Sequence, residues 1–183
     1  MKLKKAIITM LDLDLKGCLY LNHFSHSQTV AYFFKIISRL GNGLFWCLML
    51  ASLWVLEDSF YIEQLLHILI SGSVGSAIYK ILKQKTTRPR PYQVHQVVLL
   101  QEPPLDHFSF PSGHTLHAVM ASTVLGYIQP MLLVFMLPFT LLVAVSRMVL
   151  GLHYPSDVIV GALIGVLVAT GIIFTAPFLN IVL

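Results

Sequence analysis

Two histidines, a carboxylate and a set of cations are spaced in this chain as attack on phosphorus would need them. His153 and Asp157 lie four residues apart in "HYPSD" (153–157). On one helical turn, or in a turn entering a helix, the carboxylate can hold one imidazole nitrogen and leave the other free as a nucleophile. His114, in "PSGH" (111–114), can protonate the leaving oxygen. Two histidines are needed if the reaction passes through a phosphohistidine, because one attacks while neutral and the other donates while protonated. Lys83, Arg88, Arg90 and Arg147 offer positive charge to phosphate oxygens, arginine often through two parallel hydrogen bonds. "PSGH" heads an apolar stretch that runs to Ile128, so it reads as a helix start. Such a start presents unbonded N–H groups and a positive dipole end, and Gly113 lets an oxyanion approach the backbone.

Metal binding is the competing use of these side chains. His114, His117, His153 and Asp157 are of types that bind zinc. His114 and His117 are not in an HExxH arrangement, however. Lys83, Arg90 and Arg147 would repel a divalent cation while supplying the neutralisation it would give. No metal is expected.

The chain that must position these residues is apolar. Of its 183 residues 56% are hydrophobic and 11% charged, with a mean hydropathy of +0.78. A soluble domain carries roughly a quarter charged residues. The expectation is one all-α integral membrane domain over residues 1–183, with the lipid bilayer as its surroundings. The formal charge of +4 is modest and several basic residues share one short loop. That pattern suits a local anion site and argues against a nucleic-acid partner. Cys18 and Cys47 sit in apolar context and are expected to be free, buried thiols.

Residues 1–42 read as an amphipathic segment. Asp12 and Asp14 interrupt the apolar region after a few residues, which argues against a signal peptide. Lys5, Thr9, Asp12 and Lys16 share one helical face, and Ile7, Ile8, Leu11 and Leu15 the other. That spacing predicts a helix lying in the membrane interface. A second short helix is expected over 27–40, ended by the turn "GNG" (41–43). Five spans are expected over 44–56, 60–82, 112–128, 131–150 and 157–179, each approaching the roughly 20 residues a crossing needs. The first is short unless it borrows residues upstream. The small-residue patch "SGSVGSA" (71–77) and the Gly161–Gly165 pair suit close helix packing. The tight connection "QP" (129–130) turns span four back along span three. The polar segment 83–111 leads into span three and "HYPSD" follows span four, so the chemistry-bearing residues converge on one membrane face.

Three motifs now stand in order: "KQKTTRPRP" (83–91) fits K-x6-R-P, "PSGH" (111–114) follows, and "SRMVLGLHYPSD" (146–157) fits S-R-x5-H-x3-D. In these the chain resembles the type-2 phosphatidic acid phosphatase superfamily. That family includes bacterial lipid phosphatases, undecaprenyl-pyrophosphate phosphatases and, more distantly, vanadium haloperoxidases. The motifs cover 83–157 and depart from the pattern at no position. The resemblance implies that Lys83, Arg90 and Arg147 bind phosphate, with Ser112 and Gly113 adding hydrogen bonds. It makes His114 the general acid, His153 the nucleophile and Asp157 its orienting partner. It implies no metal and no organic cofactor. A frame of six helices is usual, so the N-terminal region is expected to contribute either an interfacial helix or a sixth span.

Other polar residues have plainer expectations. Arg88 is an accessory that either binds phosphate or headgroup, or anchors the loop. Lys85 is a solvated charge. His117 packs beside or supports His114. Glu63 and His67 face the bundle interior and pair with each other. His95 and His107 are loop surface. Trp46 and Trp54 face the membrane or its interface.

The function expected is hydrolysis of a membrane lipid phosphate or pyrophosphate, undecaprenyl pyrophosphate first. Phosphatidylglycerophosphate, phosphatidic acid and lipid A phosphate are alternatives, since the motifs describe the phosphate and not the tail. A lipid phosphotransferase would share the phosphohistidine. A non-enzymatic anion channel or transporter would need the cations but no nucleophile with an orienting partner. Counting positive charge would place the site in the cytoplasm. The loop cations serve phosphate whichever way they face, and the resemblance favours the extracytoplasmic side of a bacterial inner membrane. The motifs say nothing about oligomeric state.

Overall fold

Apolar runs bounded by turn residues become helices where the sequence places them. The computed structural model describes residues 2–56 and 62–183. Its helices are α1 (Lys2–His23), α2 (Gln28–Leu40), α3 (Gly43–Leu56), α4 (Ile62–Thr86), α5 (Pro91–Val94), α6 (Gly113–Ile128), α7 (Leu133–Val149) and α8 (Pro155–Thr175). No strand occurs among the described residues, so the all-α expectation holds. The connector residues Glu57 and Asp58, Phe60, and the Ile7 and Trp54 side chains lie outside the described residues.

Helix α6 is the axis of the bundle. It packs along α8 and also touches α3, α4 and α7. Gly161 and Gly165 make the α6–α8 approach: a Cβ at either would lie 2.5 or 2.6 Å from the carbonyl oxygen of Ser112 or Leu116. These glycines pack helices within one chain, as small residues in membrane bundles do. The core they close includes Trp46, Leu50, Ile68, Leu125, Val143 and Ile172. Ser122 and Thr140 hydrogen-bond across α6 and α7 inside it. The outer surface is apolar instead of charged, with Leu48, Val74, Val134, Leu141, Leu163 and Leu167 all exposed. A surface of that kind needs lipid, not water, around it.

Among the described residues three helical stretches are long and apolar enough to cross a membrane: Ile62–Val94, Pro130–Val149 and Pro155–Leu179. A fourth exists if Gln28–Leu40 and Gly43–Ser52, bent by 54°, form one broken span. Read as one span, that pair would supply the upstream residues the short first span lacks. The remaining expected span, α6, has 16 residues and sits at the centre.

Some expectations are corrected. Trp46 is buried, not membrane-facing: its indole N–H donates to the Gly41 carbonyl oxygen and its ring packs against Phe45 and Phe139. Cys18 is buried but Cys47 is exposed. His67 bonds to the Ile172 carbonyl oxygen, while Glu63 is exposed. On α1, Ile8 and Leu11 are exposed as an interfacial face requires, but the inward stripe is Asp14, Cys18 and Asn22, four residues apart. Asn22 fixes this stripe by bonding to Leu99 and to the Val149 carbonyl oxygen.

Candidate active site

The motif residues gather at one end of the bundle because four helix ends meet there. Lys83 comes from the last turn of α4, Gly113 and His114 from the first turn of α6, and Arg147 from the last turn of α7. His153 lies in the turn from α7 to α8, and Asp157 in the first turn of α8. A cavity of about 280 Å³ is lined by Lys83, Arg90, Gly113, His114, Arg147 and His153, together with Asn42, Gly43, Tyr79, Leu105, Asp106 and His117.

His153 is almost fully buried, with Nε2 3.3 Å from Arg90 Nη1 and Nδ1 3.6 Å from Asp157 Oδ2. Nδ1 has no hydrogen-bond partner among the described residues. Burial, then the charges of Arg90, Arg147 and Lys83, hold this imidazole well below its usual range, against the opposing charge of Asp106. That environment favours the neutral ring. A proton on Nδ1, facing Asp157, leaves Nε2 unprotonated beside Arg90 Nη1 in the residue that lines the cavity, which is the form a nucleophile needs.

The cations are held from behind. Arg90 donates through Nη1 to the Leu152 carbonyl oxygen at 2.8 Å and through Nε to that of Asp106 at 3.1 Å. Arg147 donates through Nη1 to the Ser38 hydroxyl, and Ser38 in turn donates to Glu102, which also pairs with Arg39. Arg147 Nε is buried and unpaired among the described residues. An orphaned guanidinium N–H beside an anion-sized cavity fits a phosphate oxygen as its missing partner. Tyr79 stands so close over Gly113 that a Cβ there would lie 2.8 Å from its ring.

Ser112 takes a different place from the one its motif suggests. It is fully buried and absent from the cavity wall; its hydroxyl pairs with Thr115 Oγ1 at 2.9 Å and its N–H donates to the Asp157 carbonyl oxygen at 3.0 Å. It precedes α6 without capping it through its side chain. Its contacts splice α6 to α8 and leave the first-turn N–H groups to other partners. Arg88 also lies off the cavity wall, bridging Asp14 and Asp157 at 2.7 Å each, and so anchors the loop. His117 bonds through Nε2 to Ser76. Lys85 and His107 are exposed, and His95 is half-buried against Tyr154.

Sequence reasoning missed Asp106. Its carboxylate bridges Lys83 Nζ and Arg90 Nη2 at 2.6 Å each and accepts from the Tyr79 hydroxyl at 3.1 Å. Burial would raise this carboxyl, but hydrogen bonds and charge from Lys83 and Arg90 outweigh it and hold it below the usual range. Asp14, Ser38 and Glu102 were missed as well. No spacing rule links them to the motifs. Among the described residues no three of His, Cys, Asp and Glu gather as a metal would require.

Beside the cavity runs an apolar groove of about 270 Å³ between α3, α4 and α6, lined by residues such as Trp46, Leu50, Leu69, Gly72, Met120 and Val124. The two spaces share Gly43 and His117 in their walls.

Fold and site together define a helical membrane protein with a cationic, two-histidine cavity at one end of its bundle. The chain belongs to the PAP2 superfamily, whose family model matches residues 63–180. It is similar to decaprenylphosphoryl-5-phosphoribose phosphatase of Mycobacterium tuberculosis, 33% identical over 102 residues, covering 53% of this chain and 54% of that relative. The chain thus spans about half the length of the mycobacterial relative. It is 25% identical over 144 residues to undecaprenyl-diphosphatase of Sulfolobus acidocaldarius, covering 78% of this chain and 69% of the other. Among solved structures, Aquifex aeolicus LpxE superposes with a TM-score of 0.77 at 26% identity, over 88% of this chain and 94% of that one.

Proposed function

We propose that this chain is a membrane phosphatase that hydrolyses a lipid phosphate or pyrophosphate through a phosphohistidine on His153. The observation that carries the reading is a buried imidazole, His153, that lines one cavity with Lys83, Arg90 and Arg147 and has its Nε2 3.3 Å from Arg90 Nη1. In the first step Nε2 attacks phosphorus and the bond from phosphorus to the lipid oxygen breaks. His114, protonated, gives its proton to that oxygen. The three cations neutralise the phosphoryl oxygens as charge develops on them, which is where most of such a rate enhancement arises. Asp157 stabilises the positively charged ring. In the second step His114, now neutral, takes a proton from water as the water attacks the phosphohistidine, releasing phosphate and restoring both histidines.

The adjoining groove supports a lipid substrate, since it offers an apolar chain a place contiguous with the cationic cavity. Undecaprenyl pyrophosphate is the first candidate, because two of the relatives are named for polyprenyl phosphates or diphosphates. We place the site on the extracytoplasmic face of a bacterial cytoplasmic membrane. A His107→Cys variant lacking Cys18 and Cys47 should then react with an impermeant maleimide in intact cells; protection until lysis would reverse that assignment.

The test of function is phosphate release by purified protein from undecaprenyl pyrophosphate, phosphatidylglycerophosphate, phosphatidic acid and lipid A phosphate. Turnover should survive EDTA, be inhibited by vanadate and leave an acid-labile phosphoenzyme on rapid quench. Loss on chelation with restoration by zinc or magnesium, and no effect of vanadate, would replace this mechanism with a metal-dependent one.

A further inference from the structure

The carboxylate that should orient the nucleophile is itself held by a residue outside the cavity. Asp157 Oδ1 accepts from Arg88 Nη1 at 2.7 Å, and Oδ2 accepts from the Tyr154 N–H at 2.8 Å. His153 Nδ1 stands at 3.6 Å from that same Oδ2, beyond hydrogen-bond length. Where the Asp157 carboxylate sits is therefore decided by Arg88 and by the backbone at Tyr154, not by the histidine.

Arg88 in turn is fixed on three sides. Nη2 donates to Asp14 Oδ2 at 2.7 Å, Nη1 donates to the Ser156 hydroxyl at 2.8 Å, and the guanidinium lies 4.2 Å from the centre of the Tyr154 ring. Asp14, from the inward stripe of α1, is buried and accepts from both the N–H and the hydroxyl of Ser156. Ser156 and Tyr154 flank the first turn of α8 that carries Asp157. The result is a closed ring of contacts from α1 through Arg88 to the catalytic carboxylate.

The charges in this ring have a consequence. Arg88 alone beside Asp157 would cancel the negative charge that a phosphorylated, positively charged His153 needs. With Asp14 present, one guanidinium serves two carboxylates, and one negative charge is left over for the imidazole. Asp14 thus shares Arg88 with Asp157, so that Arg88 does not form a closed pair with Asp157 alone, while Arg88 keeps two buried carboxylates from repelling each other.

We propose that Asp14 and Arg88 are positioning residues of the reaction. On this assignment the N-terminal helix sets the geometry and charge of Asp157 and, through it, of His153. The inference rests on the phosphohistidine reading above. It predicts an effect on turnover and not on phosphate binding, because neither residue lines the cavity.

The experiment uses the full chain in detergent, with p-nitrophenyl phosphate and phosphatidic acid as probes and inorganic phosphate as competitor. Arg88→Gln should lower kcat by roughly 10²-fold and the isosteric Asp14→Asn by roughly tenfold, the scale expected when a reacting group is misplaced from a distance. KM and inhibition by phosphate should stay close to wild type in both. Arg88→Lys should regain part of the kcat lost in Arg88→Gln, since an ammonium restores charge but not the two-armed bridge. If Arg88→Gln fails to fold, Asp14→Asn and Arg88→Lys decide the matter. Unchanged kcat in both, or a loss shared equally between kcat and phosphate affinity, overturns the assignment. A wild-type protein inactive on both probes would instead overturn the phosphatase reading, and this one with it.

Discussion

Two spaces of nearly equal size meet at Gly43 and His117, and they are built in opposite ways. The cavity of about 280 Å³ takes its chemistry from three short motifs, and its charged groups are locked by partners behind them. The groove of about 270 Å³ is assembled one side chain at a time from α3, α4, α6 and α8, with no motif at all. Phosphoryl transfer fixes residue identity, because only certain groups attack phosphorus or neutralise its oxygens. Holding an apolar chain fixes only shape, which many residue combinations satisfy. On the proposed function, the division explains why the phosphate is specified so much more sharply than the tail.

Breaking the cavity should have the largest effect. His153→Ala removes the proposed nucleophile and is expected to abolish both turnover and the phosphoenzyme with every substrate, long-tailed or soluble. Arg147→Ala should lower kcat by roughly 10²-fold or more, the scale seen when a donor to a developing oxyanion is lost. Both are read by phosphate release on folded, purified protein. Near-normal turnover of His153→Ala would remove the mechanism.

Blocking the groove should have a smaller and selective effect. Gly72 lies in its wall, and a Cβ there would meet only the flexible Met120 side chain, its methyl at 3.4 Å. Gly72→Leu fills the groove without touching a motif residue. Each methylene of substrate it displaces costs about 0.8 kcal/mol, so two displaced methylenes raise KM roughly tenfold for a long-chain lipid phosphate. KM for p-nitrophenyl phosphate should be unchanged. An equal rise for both substrates would show that the groove is not where the tail lies.

Smaller still is the effect expected at Asp106, the one carboxylate in the cavity wall among the described residues. Its bonds to Lys83 and Arg90 occupy donors that phosphate oxygens would use. Asp106→Asn keeps the side chain's shape and removes its charge. Inhibition by inorganic phosphate should tighten by roughly fivefold or less, since a half-exposed ion pair is worth about 1 kcal/mol at most. Weaker phosphate inhibition would mean that Asp106 organises the cations and does not compete with the anion.

The same contrast governs what the sequence made legible. Helix positions were readable because apolar runs ended at Gly, Pro and polar clusters, and the convergence of the motifs followed from the short turn at Gln129–Pro130. Lys83, Arg90, Gly113, His114, Arg147 and His153 were readable from type and spacing, and the fold brings them to one cavity. Ser112 was not, because a serine before a helix can cap it, bind a ligand or splice it to a neighbour, and spacing does not distinguish these. Asp14 read only as an interruption of an apolar run; its partners lie more than 70 residues away. Trp46 read as interfacial because its packing against Phe139 and its bond to the Gly41 carbonyl oxygen, beside the 54° bend, leave no mark beyond an ordinary turn.

The last prediction concerns pH and tests whether the nucleophile is neutral in the folded protein. His153 is held well below its ordinary value of 6.5, by burial first and then by Arg90, Arg147 and Lys83. In the unfolded chain the same imidazole titrates normally, so below about pH 6.5 the unfolded state binds a proton that the folded state refuses. Stability is then full above about pH 6.5 and falls as pH drops toward the folded pKa, with a slope of at most about 1.4 kcal/mol per pH unit for one proton. The Asp106 carboxyl, itself held below 3.8, contributes stability that is lost only at still lower pH and leaves this window undisturbed. The comparison is between two proteins, so that every group common to both cancels. The thermal midpoint in detergent should fall between about pH 7.5 and 5.5 in wild type, and less steeply in His153→Gln. Equal slopes would mean that folding does not depress the His153 pKa, and that the cavity's cations do not keep Nε2 free to attack.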